Sequence, residues 1–459
     1  MLNNRFRRAT IVLSASALTL SAVSVGVALG ASGAGAAGYT PGVTAHSVTI
    51  GATVPLSGIA SGYAEVSAAA AAVFHYVDTR GGINGRRINY IRKDDCYNIN
   101  ALGCTAGVGN TPTLTQTQAL VTQNKIFATV GSLGTAAQDS VLNYLNQNHV
   151  PDLFVSSGSS DWNQPRYPLL FGFQASYQAE GKIFAKWIEK NKRGAAVGAI
   201  GQADDFGANG LSGLLSGGLR IAPKNRLTYS PLDGITGNFS DITQALNTLK
   251  GDNTKVVVLD SIPPITSYIL AAAAKLSFKP LWVISSVGSD PISVSNPLEA
   301  GSITLDSYPA ASNSSNPWNN WLRKVIKADP TGHTDFKSFF SGPNAGILDG
   351  NMVYGATYAV AFCEALHSLG KNVTRPGIVH AMMNTKYQTP TLTPLSYSAQ
   401  NHQGLQGGSL ARILPNKNPN GTPQYAALLG NAEYTTGTYS NTAVTVRKQQ
   451  LQPIPAYLK

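Results

Sequence analysis

Val48-Thr49-Ile50-Gly51-Ala52-Thr53-Val54 is a short run rich in β-branched residues, and it turns through Pro55-Leu56-Ser57-Gly58. An alanine-rich segment from Tyr63 to Thr79 follows without Pro or Gly, and its propensity is helical. Gly81-Gly82 stops it, since glycine tolerates the positive φ of a helix C-cap. Asn84-Gly85 then forms a turn, and Arg86 to Lys93 alternates polar and apolar as a strand does, ending on Asp94-Asp95. This is one β-α-β unit of an open sheet. It leaves the loop after the first strand at the carboxyl edge, where such sheets bind ligands.

The same alternation continues outward. Thr113 to Gln123 is helix-like, Phe127 to Gly131 a buried strand, Ala136 to Asn148 a helix and Val150 to Val155 another strand. Twice a buried strand ends in small hydroxyl residues, at Ser132-Leu133-Gly134-Thr135 and at Ser156-Ser157-Gly158-Ser159-Ser160. In a parallel sheet both ends fall on one edge, and a helix start, whose N–H groups suit an anion, follows at least the first. A second series begins near Phe173, with strands at Ala195–Ile200, Leu227–Ser230, Val256–Leu259 and Leu281–Ile284. Its helices are Tyr177–Lys190, one through Leu211–Leu219, one reaching Leu249, and Ile265–Leu276. The expectation is an α/β protein with mostly parallel sheets covered on both faces. From Ser302 the chain becomes loop-like, with helices at Trp318–Ala328, at Gly350–Leu369 and after Arg375-Pro376-Gly377. Tyr387 to Lys459 is rich in Thr, Tyr, Asn and Pro and predicts irregular strands.

Arg5, Arg7 and Arg8 precede an apolar run, Ala9 to Leu29, and Ala34-Gly35-Ala36 offers a cleavage site. Residues 1–36 are expected to be a secretory signal peptide, which places the mature chain in an extracytoplasmic space. Its serines and threonines make the run a poor membrane span. The formal charge of +11 is scattered as singles and pairs, unlike the patch of a nucleic-acid binder, so no nucleic-acid partner is expected. A chain of 459 residues calls for two lobes. Cys96 and Cys104 flank a Gly/Asn-rich loop, and export predicts a disulfide between them, with Cys363 a buried free thiol. No metal or cofactor is expected, since the paired thiols have no histidine pair nearby.

Pro55-Leu56-Ser57-Gly58, then Gly81-Gly82-Ile83-Asn84-Gly85-Arg86, then Asp94-Asp95 resembles the opening of type I periplasmic solute-binding proteins of the leucine/isoleucine/valine-binding family. The likeness runs from about Val48 to the neighbourhood of Asn384. It implies two Rossmann-like lobes with a ligand cleft between them, joined by three crossings near Phe171–Gln174, near Leu305–Tyr308 and after Tyr387. Lobe 1 would hold residues 46–173 and about 308–390, and lobe 2 residues 174–307 with part of 391–459. Family position assigns a ligand carboxylate to Thr135, Gly158 and Ser160, and cleft-lining aromatics to Tyr63 and Phe206. Trp162 is a further aromatic without a matching family position. Asp204-Asp205 is expected to cap the helix that follows.

Relatives that bind amino acids pair the ligand ammonium with an acidic residue after the strand equivalent to Leu281–Ile284. Here that region is Ser285-Ser286-Val287-Gly288-Ser289-Asp290, so Asp290, or Asp260 one strand earlier, would have to substitute. The function implied is capture of a small carboxylate, amide or amino-acid-like solute by a monomeric binding protein that serves a membrane ABC permease. A soluble sensor for a membrane receptor is the alternative within binding proteins, and a secreted hydrolase the alternative among enzymes. A hydrolase needs a nucleophile with an oriented base. No Gly-x-Ser-x-Gly elbow occurs, and the seven histidines lie away from the proposed loop edge.

Overall fold

The computed structural model describes residues 40–99, 104, 112–289, 297–309, 311, 313–342, 345–413, 426–428, 432–435, 445–448 and 454–458. The expected leader, residues 1–36, and Asp290 lie outside them.

The first sheet has five parallel strands, β1 (Ser47–Val54), β2 (Arg87–Asp94), β3 (Thr129–Val130), β4 (Asp152–Val155) and β5 (Leu170–Gly172), in the order β2-β1-β3-β4-β5. Strand periodicity sorts β1: Val48, Ile50, Ala52 and Val54 enter the main core, while the opposite face at Gly51 has room only for Leu120, whose Cδ2 stands 2.7 Å from where a Cβ would sit. That face carries α2 (Pro112–Thr122), and the main core lies under α1 (Ala64–Asp78). The turn Asn84-Gly85 has φ of 51° and 79°, as a tight hairpin turn requires.

Beyond β3, α3 (Thr135–Asp139) and α4 (Leu142–Gln147) replace the single helix expected over Ala136–Asn148. The Ser140 hydroxyl bonds the Ala137 carbonyl at 2.6 Å, and Val141 departs to φ −116°, which divides the segment.

The second lobe opens with α5 (Tyr177–Asn191), β6 (Val197–Gln202), α6 (Asp205–Ser216), β7 (Arg226–Tyr229), α7 (Asp233–Thr236), α8 (Ser240–Gly251), β8 (Val256–Asp260), α9 (Pro263–Lys275), β9 (Leu281–Ile284) and β10 (Ile303–Asp306). β8 is buried on both faces: Val256 and Val258 enter the core under α5 and α6, Val257 and Leu259 the core under α8 and α9. Strands β6 to β10 pair in parallel, and β11 (Gly407–Ile413) adds antiparallel to β10. β12 (Ala426–Leu428), β13 (Ala432–Thr435) and β14 (Thr445–Lys448) extend this edge, so the final stretch does contain strands.

Between β10 and β11 the chain returns to the first core through α10 (Pro317–Ala328), α11 (Gly332–Asp335), α12 (Lys337–Phe340), α13 (Gly350–Ser368) and α14 (Arg375–Asn384). Asn316, Asp349 and Thr374 cap α10, α13 and α14 with side-chain oxygens. α13 lies so close to α1 that a Cβ on Gly355 would meet the Val66 carbonyl oxygen at 1.9 Å, and no residue but glycine fits there.

Leu405 belongs to the first core and Leu410 to the second, which puts the third crossing immediately before β11. The chain then comes back a fourth time. Leu458 is fully buried in the first core, and its carbonyl accepts the Trp321 indole N–H at 2.9 Å. The two-lobed α/β architecture expected from the sequence is the one observed.

Candidate functional site

The loops after β3 and β4 lie side by side: Leu133 bridges Ser156 in parallel, and the Gly134 N–H reaches the Ser156 carbonyl at 3.3 Å. Thr135 heads α3 with its hydroxyl 2.8 Å from the Ser157 hydroxyl and 3.4 Å from the Tyr177 phenol. Three hydroxyls from two lobes thus meet at one point. α3 is only five residues long, so its end charge is small and the hydroxyls are the polar features that matter.

A second device fixes the first-lobe rim. Asp94 accepts the Leu56 and Ser57 N–H groups at 2.9 and 3.2 Å, the Ser57 hydroxyl at 2.5 Å and the Cys96 N–H at 3.1 Å. Cys96 and Cys104 are joined, with Cα atoms 5.5 Å apart, and Cys363 is free and buried, as expected. Cys96, Tyr97 and Asn98 all take left-handed backbone, φ 51°, 63° and 58°, an unfavourable run for residues with a Cβ. The disulfide and the Asp95 carboxylate, which accepts the Tyr97 N–H at 3.1 Å and the Thr113 hydroxyl at 3.0 Å, hold this strained turn. Its product is Tyr97 placed against the cleft.

Between the carboxyl edges of the two sheets is a cavity of about 150 Å³. The first lobe contributes Tyr63, Tyr97, Thr135, Ser156 and Tyr354, the second Tyr177, Ser286, Val287 and the end of β10, Thr304 to Asp306, with Ser307 and Tyr308 at the crossing back to the first core. The Tyr354 phenol donates to the Gln174 side chain at 2.9 Å at the first crossing. Tyrosine phenols here are pushed well up by burial, Tyr177 to about 12, so they act as neutral hydroxyls.

Of the residues expected at the site, Tyr63 and Thr135 line this cavity. Gly158, Ser160 and Phe206 sit just behind it. The Gly158 carbonyl accepts the Tyr177 N–H at 2.8 Å, so it anchors the start of α5. The Ser160 N–H donates across the lobes to the Asn209 side chain at 3.3 Å. Phe206 is buried against the Tyr177 ring, centroids 4.5 Å apart, and it is Tyr177 that faces inward. Trp162 is fully buried and holds the Ser157 carbonyl through its indole N–H at 2.8 Å. Asp204 caps α6 at the Phe206 N–H, 3.0 Å away.

Asp260 lies beneath the cavity beside Glu180, whose carboxylate accepts the Ser286 N–H at 2.7 Å. Burial raises Glu180 to about 7, and burial next to Glu180 raises Asp260 well above the usual carboxylate range. The acidic residue that does line the cavity is Asp306, at the end of β10. Sequence order gave no signal for it, nor for Tyr97, Tyr177, Tyr308 or Tyr354.

Away from the cavity lining, Asp139 and Asp161 of the first lobe and Asp205 of the second bring carboxylate oxygens within 4.8 Å of one another. Burial, then Asp205, Asp161 and Asp204, raises Asp139 to about 7.

Residues 47–418 match the family described as Periplasmic binding protein. The chain belongs to that family. Its members are extracytoplasmic solute-binding proteins of ABC-type transport rather than enzymes. Among solved structures, a substrate-binding periplasmic protein from Ralstonia solanacearum is 20% identical over 80% of this chain and 98% of its own, with a TM-score of 0.67. A branched chain amino acid ABC transporter protein from Thermus thermophilus with bound valine is 17% identical over 84% of this chain and 97% of its own, with a TM-score of 0.66. A solute-binding protein of an ABC transporter from Rhodopseudomonas palustris BisB5, in complex with 3,4-dihydroxy benzoic acid, is 15% identical over 83% of this chain and 97% of its own, with a TM-score of 0.63. No match is found among curated protein sequences. At these identities the likeness to solved structures is one of fold. Among the described residues, no helix of this periplasmic binding protein is long and apolar enough to cross a membrane.

Proposed function

We propose that this periplasmic binding protein is the exported capture subunit of an ABC importer, and that its ligand is a small carboxylate, amide or amino-acid-like solute held between the lobes. The observation that carries the reading is the cavity itself, lined by residues of both lobes where the carboxyl edges of the two sheets meet. Hinge closure around such a site shields the solute and gives a permease two distinguishable forms to contact. The polar groups belong to the chemistry of binding: the Thr135–Ser157–Tyr177 hydroxyls, the Ser286 loop and the tyrosine phenols are donors and acceptors without a nucleophile–base pair. No His or Cys is among the described lining residues, and the Asp306 carboxylate there accepts from the Tyr308 N–H rather than from a hydroxyl, so the hydrolytic alternative finds no nucleophile paired with a base among the described residues.

The test is to extract and identify any small molecule that accompanies the mature protein from its native cells, then to compare small-angle scattering with the solute removed and restored. Compaction on restoring it is the expected result. An unchanged profile under confirmed saturation would remove the closing cleft from consideration.

A further inference from the structure

The charge of the cavity is one-sided. Among the described lining residues Asp306 alone is charged; Lys, Arg and His do not occur there. Asp306 ends β10 at the carboxyl edge of the second sheet, and one of its carboxylate oxygens accepts the Tyr308 N–H at 3.1 Å. That is its one hydrogen bond among the described residues, so the other oxygen is left for an occupant of the cavity. Burial without a counter-charge pushes this carboxyl up to about 6.

Two residues on, the Tyr308 hydroxyl is buried and has no hydrogen-bond partner among the described residues. Its ring stands 5.7 Å from that of Tyr354. Buried polar atoms without partners are rare in native proteins and call for an explanation. Here the uncompensated carboxylate and the unpartnered hydroxyl come from one tripeptide and line one cavity.

We propose that the cavity takes a small organic ammonium, with Asp306 as its counter-charge, the Tyr308 hydroxyl as its second polar contact and the tyrosine rings as its walls. The proposal rests on the cleft being the solute site and departs from the carboxylate or amide put forward above, setting a cation in its place. A cation relieves the unpaired carboxylate, whereas a simple carboxylic acid would bury a second negative charge beside it. Tyr97, Tyr177 and Tyr354 add rings whose electron-rich faces attract a desolvated cation. Size agrees, since a cavity of roughly 150 Å³ admits a guest about as large as benzene. A zwitterion would have to leave its carboxylate at the hydroxyl end with no described cation to meet it.

Thermal-shift and calorimetric titrations of the full mature chain, dialysed free of endogenous solute, test this with choline, phenethylamine, benzoate and leucine. Choline or phenethylamine should stabilise the protein more than benzoate or leucine. Asp306→Asn keeps an oxygen for the Tyr308 N–H and so should fold normally, yet weaken ammonium binding by about tenfold or more, as loss of a charged partner does. Tyr308→Phe should weaken it by a smaller factor without lowering the melting temperature of the empty protein. The inference is overturned if neither ammonium probe stabilises, if benzoate or leucine stabilises more than both, or if Asp306→Asn leaves ammonium binding unchanged. Benzoate or leucine binding that disappears in Thr135→Ala would overturn the ammonium while leaving the solute-binding reading standing.

Discussion

The Tyr63 phenol, on the first lobe, donates to the Val287 carbonyl on the second at 3.1 Å. Both residues line the cavity, so this bond crosses the cleft at the proposed solute site and ties the two lobes together. It lets one hydroxyl report on closure apart from folding, because the bond can exist only when the lobes meet.

Tyr63→Phe should therefore weaken solute binding while sparing the fold. A neutral hydrogen bond contributes about 0.5–1.5 kcal/mol net, which corresponds to an affinity loss of up to about tenfold. Titration calorimetry with the identified solute measures it, alongside thermal melting of the empty protein. A drop in melting temperature with no loss of affinity would mean that the hydroxyl serves the fold and is no latch on closure.

Closure should also depend on pH through Asp139. Its carboxyl is raised to about 7 by burial, then by Asp205, Asp161 and Asp204, and two of those three charges stand on the other lobe. Separating the lobes relieves part of that field, so Asp139 binds its proton more tightly when the protein is closed. Protonation then favours closure: the closed form gains as pH falls through about 7 and loses as pH rises above it. Small-angle scattering without solute at pH 6 and pH 8 should find the more compact form at the lower pH, and Asp139→Asn should flatten the difference. Equal profiles for the wild type at the two values would refute the coupling.

The disulfide is expected to matter at Tyr97 more than its short loop implies. Closing a loop of this length stabilises a chain by roughly 2–3 kcal/mol in the entropic picture. The same bridge, however, holds three consecutive left-handed residues, one of which lines the cavity. Replacing Cys96 and Cys104 together by serine should lower the melting temperature and, separately, weaken solute binding at temperatures where the protein is still folded. Binding unaffected under those conditions would show that Asp94 and Asp95 position Tyr97 unaided.

Asn84 shows what the sequence could and could not disclose. Asn84-Gly85 announces a turn from composition alone, because both residues tolerate positive φ. Nothing local reveals that the Asn84 amide also donates to the carbonyls of Leu366, His367 and Gly370, at 3.4, 3.0 and 3.0 Å, and so caps the end of α13. The two roles can be separated. Asn84→Gly keeps the backbone and loses the cap, and should cost about 1 kcal/mol; Asn84→Ala loses both and should cost more. Denaturant melts of the two variants check the order, and equal losses would mean the turn conformation contributes nothing.

The same division runs through the site. The strands were legible because burial marks them, as an alternation in Arg86 to Lys93 and as an unbroken apolar run in Val256 to Leu259, and the hydroxyl loops because they follow such strands. Which aromatic faces the cavity was not legible. Tyr177 and Phe206 pack against each other with tilted rings, and only the packing of α5 against α6 decides that the tyrosine is the inner one. That packing is itself set by a close approach of backbones, since a Cβ added at Gly213 would meet the Gln178 carbonyl oxygen at 2.4 Å. Asp306 was missed for a related reason. The resemblance directs attention to the loop after β9, and the acidic group enters from the end of the next strand.

The buried pair beneath that loop yields a last expectation. Glu180 and Asp260 are 2% and 4% exposed; burial raises Glu180 to about 7, and burial together with the Glu180 charge raises Asp260 well above the usual carboxylate range. A carboxyl raised on folding binds its proton more tightly in the native state than in the unfolded chain. Native stability must then decline as pH rises from the unfolded carboxylate range, near 4, through about 7. Asp260→Asn removes one of the two charges but keeps a similar shape, so it should raise the melting temperature at pH 8 and change it little at pH 5. It should also leave the Glu180 carboxylate free to hold the Ser286 N–H, and with it the cavity wall. Thermal melts at the two pH values decide the matter. A variant destabilised equally at both would mean that Asp260 is held by hydrogen bonds its amide cannot make, and that the repulsion with Glu180 is not what governs this part of the fold.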